Sequence, residues 1–258
     1  MKIPSRLLVA AFVSAMALGT ASGASAQTSD FSHQYQTWIQ FNFMGPISGD
    51  WFFQSDVQYR GWDNFSPQAF LVRGALLYRL MDNMYVGLGY AWQPFWRQRD
   101  LVDWYDDHRI YEQWQWEITE PSTGIKLSLR TRFEQRFRHP QEHFEFGLRA
   151  RQQVRLVFPL TTDRNLMLIV WDEIFVNFTD SGHSTLGQDG MGATQYSPQW
   201  QYGGLDQNRA FLGVGYQFIP SVLRVELGYQ NQWVRRPNRM DGDLMGHTGL
   251  LVTTINWR

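Results

Sequence analysis

Apolar and polar side chains alternate with a period of two along almost the whole chain after residue 30. In residues 125–137 the odd-numbered positions are mostly Ile, Leu, Thr and Phe, and the even-numbered positions are Lys, Ser, Arg and Glu. A period of two is the pattern of a β-strand with one apolar and one polar face. We predict eleven strands, at residues 35–43, 51–59, 70–80, 84–92, 110–116, 125–137, 144–158, 166–178, 210–218, 223–233 and 245–257.

The composition of the two faces favours a membrane barrel over a water-soluble sandwich. The polar rows carry Arg, Glu, Gln and Gly, whereas a sandwich exposes faces rich in Lys, Thr and Ser. Aromatic residues make up 16% of the chain, and Trp and Tyr recur near the ends of apolar rows, as in interfacial girdles. Several rows exceed the ~5–6 residues of a typical globular strand and suit the ~9–11 residues that cross a bilayer at a tilt. The predicted fold is therefore all-β, a transmembrane antiparallel β-barrel.

The count of eleven conflicts with a general rule, because single-chain bacterial barrels normally have an even number of strands. We favour twelve strands, with a short additional strand within residues 28–36. Ten strands is the alternative, if one row has been divided in error, and a third possibility is that the N-terminal segment enters through the lumen.

Link lengths predict the orientation of such a barrel. Short links at 81–83, 120–124, 161–165 and 219–221 alternate with long links at 94–107, 179–204 and 234–243. Bacterial barrels keep short turns in the periplasm and long loops outside.

The first 26 residues have the anatomy of a cleaved signal peptide. Lys2 and Arg6 precede an apolar stretch at 7–18, and Ala24-Ser25-Ala26 is a small-x-small cleavage site. The barrel is then expected to comprise residues 27–258, with Gln27 as the first mature residue. No later stretch approaches the ~20 apolar residues of a membrane helix, and there are no cysteines.

The predicted location is the bacterial outer membrane. The expected partners there are its lipids, lipopolysaccharide and the assembly machinery that inserts barrels. The net charge of −1 predicts no nucleic-acid partner.

Charged residues dominate the polar parity of several strands. If the apolar rows face lipid, these charges line the lumen, where arginines and carboxylates should pair because an unpaired buried charge is costly. An arginine-lined track for anionic solutes is the functional alternative, although the mixture of signs argues against strong selectivity. The predicted lumen residues are Arg130, Arg132, Glu134, Arg136, Glu145, Arg149, Arg151, Arg155, Glu173, Arg209, Arg224 and Glu226.

A lipid-acting hydrolase, of the phospholipase or lipid A deacylase type, is the alternative function. Such barrels use a serine activated by a histidine, and the candidates are the pair His183-Ser184 and the separate His247. Neither lies in a convincing nucleophile motif, so we assign no catalytic residue.

Metal binding has weaker support, and we predict no metal and no cofactor. His139 and His143 are close together but flank Pro140 in a turn. An acidic loop could hold a divalent cation or bridge to lipopolysaccharide, but a solvated loop is the simpler interpretation. Its carboxylates are Asp100, Asp103, Asp106 and Asp107.

Several short motifs, in their order along the chain, resemble a known family. They are Gly87-Leu88-Gly89-Tyr90, Glu112-Gln113-Trp114, the segment from Arg130 to Phe137, Leu148-Arg149-x-Arg151, the segment from Asp206 to Arg209, and Gly228-Tyr229. Over residues 35–257 the chain resembles the domain-of-unknown-function family 2490 of proteobacterial outer-membrane barrels. The resemblance implies a fold and a location but no activity.

The chain departs from the usual barrel ending. Substrates of the outer-membrane assembly machinery typically end in Phe or Trp, whereas this chain ends Trp257-Arg258.

The predicted function is a non-catalytic outer-membrane barrel, either a narrow channel for an unknown solute or a structural component of the envelope.

Overall fold

The computed structural model describes residues 31–63, 65–96, 104–139, 145–180, 185–188, 194–196, 201–236 and 243–257. No helix in these ranges is long and apolar enough to span a membrane. The same ranges contain thirteen strands: β1 (Ser32–Ser48), β2 (Trp51–Trp62), β3 (Pro67–Met81), β4 (Met84–Trp96), β5 (Trp104–Thr119), β6 (Lys126–His139), β7 (Glu145–Pro159), β8 (Leu166–Asn177), β9 (Thr185–Gln188), β10 (Thr194–Tyr196), β11 (Gly204–Ile219), β12 (Leu223–Val234) and β13 (Leu244–Asn256).

Eleven of these strands form one closed barrel. The order around the wall follows the chain from β1 to β8 and continues through β11, β12 and β13, which pairs with β1. The two short strands β9 and β10 pair only with each other, within the connection from β8 to β11. The prediction of a closed all-β barrel is confirmed.

The barrel closes through a parallel pair. The β1–β13 seam runs in register from Ser32 opposite Leu244 to Met44 opposite Asn256, whereas every other neighbouring pair in the wall is antiparallel. When consecutive strands reverse direction, an odd number leaves the first and last strands pointing the same way. The preferred count of twelve and the alternative of ten are therefore wrong. The region proposed for an extra strand instead contributes residues 32–36 to β1.

One rim carries only short turns, and the other rim carries all three links that were predicted to be long, together with the shorter links at 63–66 and 140–144. We call these two rims the short-link end and the long-link end. The short-link end carries the turns at 49–50, 82–83, 120–125, 160–165 and 220–222. The long-link end carries the remaining connections and the start of β1, whereas β13 finishes at the short-link end.

Two of the links that were predicted to be long loops contain strand residues. Strand β4 continues to Trp96 and β5 already begins at Trp104, so the predicted 94–107 loop is largely strand. The predicted 179–204 loop contains β9 and β10. For the 94–107 link, the alternation predicts strands that are too short, because β4 and β5 extend into polar and acidic residues.

The two faces of the wall separate by parity. Leu88, Leu212 and Leu227 point outward and each exposes more than half of its surface. The inward parity carries most of the buried charged and amide side chains. Aromatic rings also lie exposed on the outside, among them Tyr35, Trp51, Tyr78, Tyr90, Trp92, Trp114, Tyr216 and Tyr229.

Apolar side chains also fill part of the interior, which the sequence rows did not predict. In one cluster, Trp171 stacks on Phe211 with ring centroids 5.2 Å apart, beside Ile169 and Leu250. A second cluster on the opposite part of the wall is built from Leu71, Ala75, Leu77, Ala91 and Tyr111. The interior therefore holds apolar clusters in addition to the charged residues that were predicted to line it.

Glycines on the wall make room for these interior rings. A Cβ on Gly89 would lie 2.3 Å from the Tyr111 ring, far inside van der Waals contact. Gly249 lies on the outward face of β13 and has no atom within 4 Å of the same position.

We therefore expect Gly89→Val to lower the free energy of unfolding by about 1–3 kcal/mol, because overpacking displaces the buried Tyr111 ring. Gly249→Val is the matched control, since it adds the same side chain to a strand with open space. Urea unfolding of the refolded barrel in detergent measures both. Equal stability of the two variants would contradict the close packing of Gly89 against Tyr111.

Candidate functional site

The middle of the barrel holds a four-residue ion network. Arg149 donates to one Glu134 carboxylate oxygen from Nε at 3.0 Å and Nη2 at 2.6 Å. Arg151 donates to the other Glu134 oxygen at 2.7 Å and to both oxygens of Glu173 at 2.9 and 3.0 Å. All four side chains are buried, so Arg151 links two carboxylates away from bulk water. Charge-assisted contacts of this kind are among the strongest hydrogen bonds in proteins.

Adjacent strands position this network. Glu134 on β6 lies directly opposite Arg149 on β7, and both point inward because they share the inward parity of the ladder. Arg151, two residues further along β7, keeps the same face and approaches Glu173 on β8. The alternation that builds the strands therefore also brings these charges together.

Further carboxylates are paired at other levels of the interior. Asp107 accepts from Arg109 at 2.8 Å and also binds Arg136. Arg73 makes a bidentate contact with Asp56, from Nε to Oδ1 and from Nη2 to Oδ2, both at 2.8 Å. Asp107 was predicted to lie in an acidic surface loop, and that prediction is wrong because the residue is in β5 and faces the buried arginines.

Several contacts cross the lumen from wall to wall. Glu226 on β12 accepts from Arg155 on β7 at 2.6 Å and also forms an ion pair of 2.7 Å with Arg224 on its own strand. Two strands separate β7 from β12 in the wall. Gln54 on β2 accepts at 2.7 and 2.8 Å from Gln113 and Gln115, which lie on β5. Paired side chains thus occupy the space inside the barrel at these levels.

The structure brings all twelve predicted lumen residues to the inside of the wall, but it pairs them unequally. Arg130 and Arg209 lie 3.5 and 3.9 Å from Glu173, and Glu145 lies 4.0 Å from Arg138. These contacts are longer than those of the central network. Arg136 contacts Asp107, and the remaining members other than Arg132 are paired as given above.

Arg132 has a different environment from the other predicted arginines. Its Nε donates to Gln113 Oε1 at 2.6 Å, and its guanidinium lies 4.7 Å from the centre of the Tyr111 ring. Within the part of the chain that the structure describes, no carboxylate lies within ion-pair distance of it.

Five buried charged residues were missing from the predicted set. They lie on the polar parity of predicted strands or at the strand ends, so the alternation itself contained the signal. They are Asp56, Arg60, Arg73, Asp107 and Arg109.

Among the described residues, positive charge exceeds negative charge around the central network. Arg60 is 9% exposed, donates from Nε to Gln58 at 2.8 Å, and lies 4.1 Å above the Trp38 ring. Nine arginines and five carboxylates share this region: Arg60, Arg109, Arg130, Arg132, Arg136, Arg138, Arg149, Arg151 and Arg209, with Asp107, Glu134, Glu145, Glu173 and Asp206.

A cavity of about 240 Å³ adjoins the network towards the long-link end. Its lining includes seven of these arginines, two aspartates and three glutamines. Arg60 is two residues from the end of β2 and Asp107 is three residues from the start of β5, which places the cavity near that rim. The seven arginines are Arg60, Arg109, Arg136, Arg138, Arg149, Arg151 and Arg209.

The candidate catalytic histidine is part of a cluster of aromatic rings on the outer wall. His247 Nε2 lies 2.9 Å from His33 Nδ1, and His247 Nδ1 lies 2.5 Å from the Tyr229 hydroxyl. Its ring also stacks with Tyr35 at 5.0 Å between centroids. Both ring nitrogens are therefore engaged by neighbours other than a serine. The second candidate, the pair His183-Ser184, lies outside the described residues.

The suggested metal ligands are only partly described. Asp100, Asp103, His143 and the side chain of His139 lie outside the described residues. Asp106 accepts from Trp92 Nε1 at 3.0 Å and lies near His108. In the ranges that the structure covers, no three His, Asp or Glu side chains are grouped so as to hold a metal ion.

We expect Glu134→Gln to lower the free energy of unfolding by about 3–5 kcal/mol, because it removes a buried carboxylate that two arginines share. Adding Arg149→Gln should recover part of that loss, since Arg149 then no longer carries an uncompensated charge. A double-mutant cycle by denaturant unfolding measures the coupling, expected at about 0.5–3 kcal/mol. Strictly additive effects would show that the pair does not act as a unit.

Comparison with known proteins identifies a family and names no activity. A family model described as "Protein of unknown function (DUF2490)" matches residues 35–243. An uncharacterized protein of Methylorubrum extorquens is 30% identical over 233 residues, which cover 90% of each chain. The chain therefore belongs to the DUF2490 family of proteins of unknown function.

Proposed function

We propose that this protein is an integral barrel of the bacterial outer membrane, exported with a signal peptide at residues 1–26. In this proposal it is a non-catalytic component of the envelope whose lumen does not conduct. The observation that carries the proposal is the inversion of the two faces, with an apolar, aromatic exterior around a charged interior.

The inverted faces suit lipid better than water. A water-soluble barrel buries its apolar rows inside and exposes charges, because burying apolar area is the main favourable term of folding. Here Leu88, Leu212 and Leu227 remain exposed while Glu134 and Arg151 are buried. In a bilayer the same exterior meets acyl chains, and closure of the wall satisfies the backbone. Each barrel strand has at least 12 residues, enough for the ~9–11 that a tilted transmembrane strand needs.

Two carboxylates on the outward face each accept hydrogen bonds from an amide side chain, which makes them compatible with a lipid environment. Glu112 accepts at 3.2 Å from Gln135, and Asp172 accepts at 3.0 Å from Asn208. Acidic groups on the lipid face of a barrel cost less than basic ones, and an amide donor from the neighbouring strand lowers that cost further. These pairs make the exterior less uniform than the sequence pattern predicts.

The packed interior favours a closed barrel over an open channel. Cross-lumen contacts through Glu226 and Gln54 lie between walls that also hold two apolar clusters. Ions need a continuous wet path, and apolar constrictions exclude water. Of the two predicted forms, the structural component is therefore better supported than the narrow channel.

Leu212→Arg tests whether the wall is embedded in lipid. Leu212 lies near the middle of β11, where arginine at a bilayer midplane costs about 2–4 kcal/mol. An exposed substitution in water usually changes stability by no more than about 0.5 kcal/mol. We expect the larger loss when unfolding is measured in phospholipid vesicles.

Leu160→Arg is the control for this measurement. Leu160 is similarly exposed but lies in the turn between β7 and β8, at the short-link rim. Arginine there should change stability little. If Leu212→Arg costs no more than Leu160→Arg, the exterior of the barrel does not face the bilayer core.

The closed lumen predicts no stable current when purified protein is reconstituted in planar bilayers. An open porin in the same bilayer serves as the positive control. Reproducible conductance steps of the wild-type protein, proportional to salt concentration, would support the channel form instead.

Recovery of the protein in the outer-membrane fraction, with Gln27 as its first residue, tests location and export separately.

A further inference from the structure

We propose that the arginine-lined cavity at the long-link end binds a small multivalent oxyanion, a polycarboxylate or a phosphate-bearing solute. The proposal rests on the cavity, the excess of guanidinium groups around it, and a buried amide donor without a partner. The proposed binding does not depend on where the barrel resides in the cell. Only the side of the membrane from which the solute enters rests on the proposed function.

The excess positive charge is the first argument. The cavity is lined by seven arginines and two aspartates, and two of those arginines are already bound by Glu134 beneath it. Arg60 has an amide and an aromatic ring as its neighbours. Arg209 lies over the Trp38 and Phe175 rings, and among the described carboxylates it approaches only Glu173, at 3.9 Å. Unbalanced charge in an enclosed, low-dielectric space is costly, and a bound anion would remove that cost.

The hydrogen-bonding groups of the cavity are the second argument. Gln93 is fully buried, and its Oε1 accepts from Arg109 at 2.5 Å. Its amide nitrogen has no hydrogen-bond partner, although the residue lines the cavity. A buried donor without a partner destabilises the ligand-free protein. A ligand rich in acceptor oxygens would satisfy it together with the guanidinium groups.

The geometry of guanidinium selects the class of anion. Its planar fork donates two parallel hydrogen bonds, which match the paired oxygens of a carboxylate or phosphate. A cavity of about 240 Å³ is below the usual ~300–1,000 Å³ of drug-sized sites, so the ligand is small. The ligand is also a free solute: the lining side chains point towards the barrel axis, and a lipid headgroup would have to pass through the wall.

Arg60 and Arg209 are the residues with which to test the site. Neither makes an ion pair shorter than 3.9 Å in the described residues, so removing one leaves no closely paired carboxylate without a partner. Arg60→Gln should keep or raise the melting temperature of the ligand-free protein, because it lowers the excess charge. A purely structural role for Arg60 predicts the opposite.

The experiment is isothermal titration of refolded wild-type protein in a non-ionic detergent with citrate and, separately, pyrophosphate. Ionic strength is held constant with chloride. We expect saturable binding of one anion per barrel and a rise in melting temperature with either probe. Arg60→Gln and Arg209→Gln should each weaken binding by about tenfold or more, as expected for loss of a hydrogen bond between charged groups. The control Arg164→Gln, in an exposed turn at the opposite rim, should bind like wild type.

Several results would overturn the proposal. One is the absence of saturable binding of either probe by the wild-type protein, a measurement that needs no variant to fold. Another is equal stabilisation by chloride at the same ionic strength, which would indicate screening without a site. A third is undiminished binding by both arginine variants. Loss of membrane localisation in cells would overturn the proposed function and leave the titration result unaffected.

Discussion

Closure of the backbone ladder through the parallel β1–β13 seam is the constraint on which the rest of the structure depends. Each strand has two edges of N–H and C=O groups, and only a closed wall pairs all of them without water. Eleven strands close only if the first and last run in the same direction. This direction places the start of β1 and the finish of β13 at opposite rims.

A closed wall also fixes which side chains are enclosed. Once the register is set, every second residue points to the axis, and a shift by one residue would exchange the faces. The arginines of β6 and β7 are thereby forced inside, where each needs a partner. Glu134 and Glu173 provide partners for Arg149 and Arg151 at the centre. The ion network is thus a consequence of closure together with parity.

Local alternation was sufficient to predict the strands and most of the short links, because parity and turn residues are properties of adjacent positions. The seam was not predictable in the same way. A parallel pair between the two ends of a chain has no local signal, and the usual preference for even numbers led to twelve strands. Likewise, the predicted acidic loop includes residues that belong to β5. A run of aspartates does not reveal that Asp107 faces Arg109 and Arg136.

The interior was predicted less well than the wall for a related reason. The sequence shows that Arg130 to Arg155 share a face, but which carboxylate each one reaches depends on strand stagger and on contacts across the lumen. Arg155 contacts Glu226, which is three strands further around the wall, whereas Arg132 contacts an amide and an aromatic ring. Inward Leu71 and Ile169 were overlooked because their strands are apolar on both parities, so that alternation no longer distinguishes the faces.

The division of the interior along the barrel axis bears on what a bound solute could do there. Arginines and unsatisfied donors are concentrated around the cavity at the long-link end, while Val157, Met167 and Leu77 lie near the short-link ends of their strands. An anion drawn into the cavity meets its strongest partners first, and next a region of packed apolar side chains and paired charges such as Arg155 and Glu226. Conduction requires sites weak enough to leave as well as a wet path onward. The arrangement therefore supports the proposed binding site and the proposed closed lumen together.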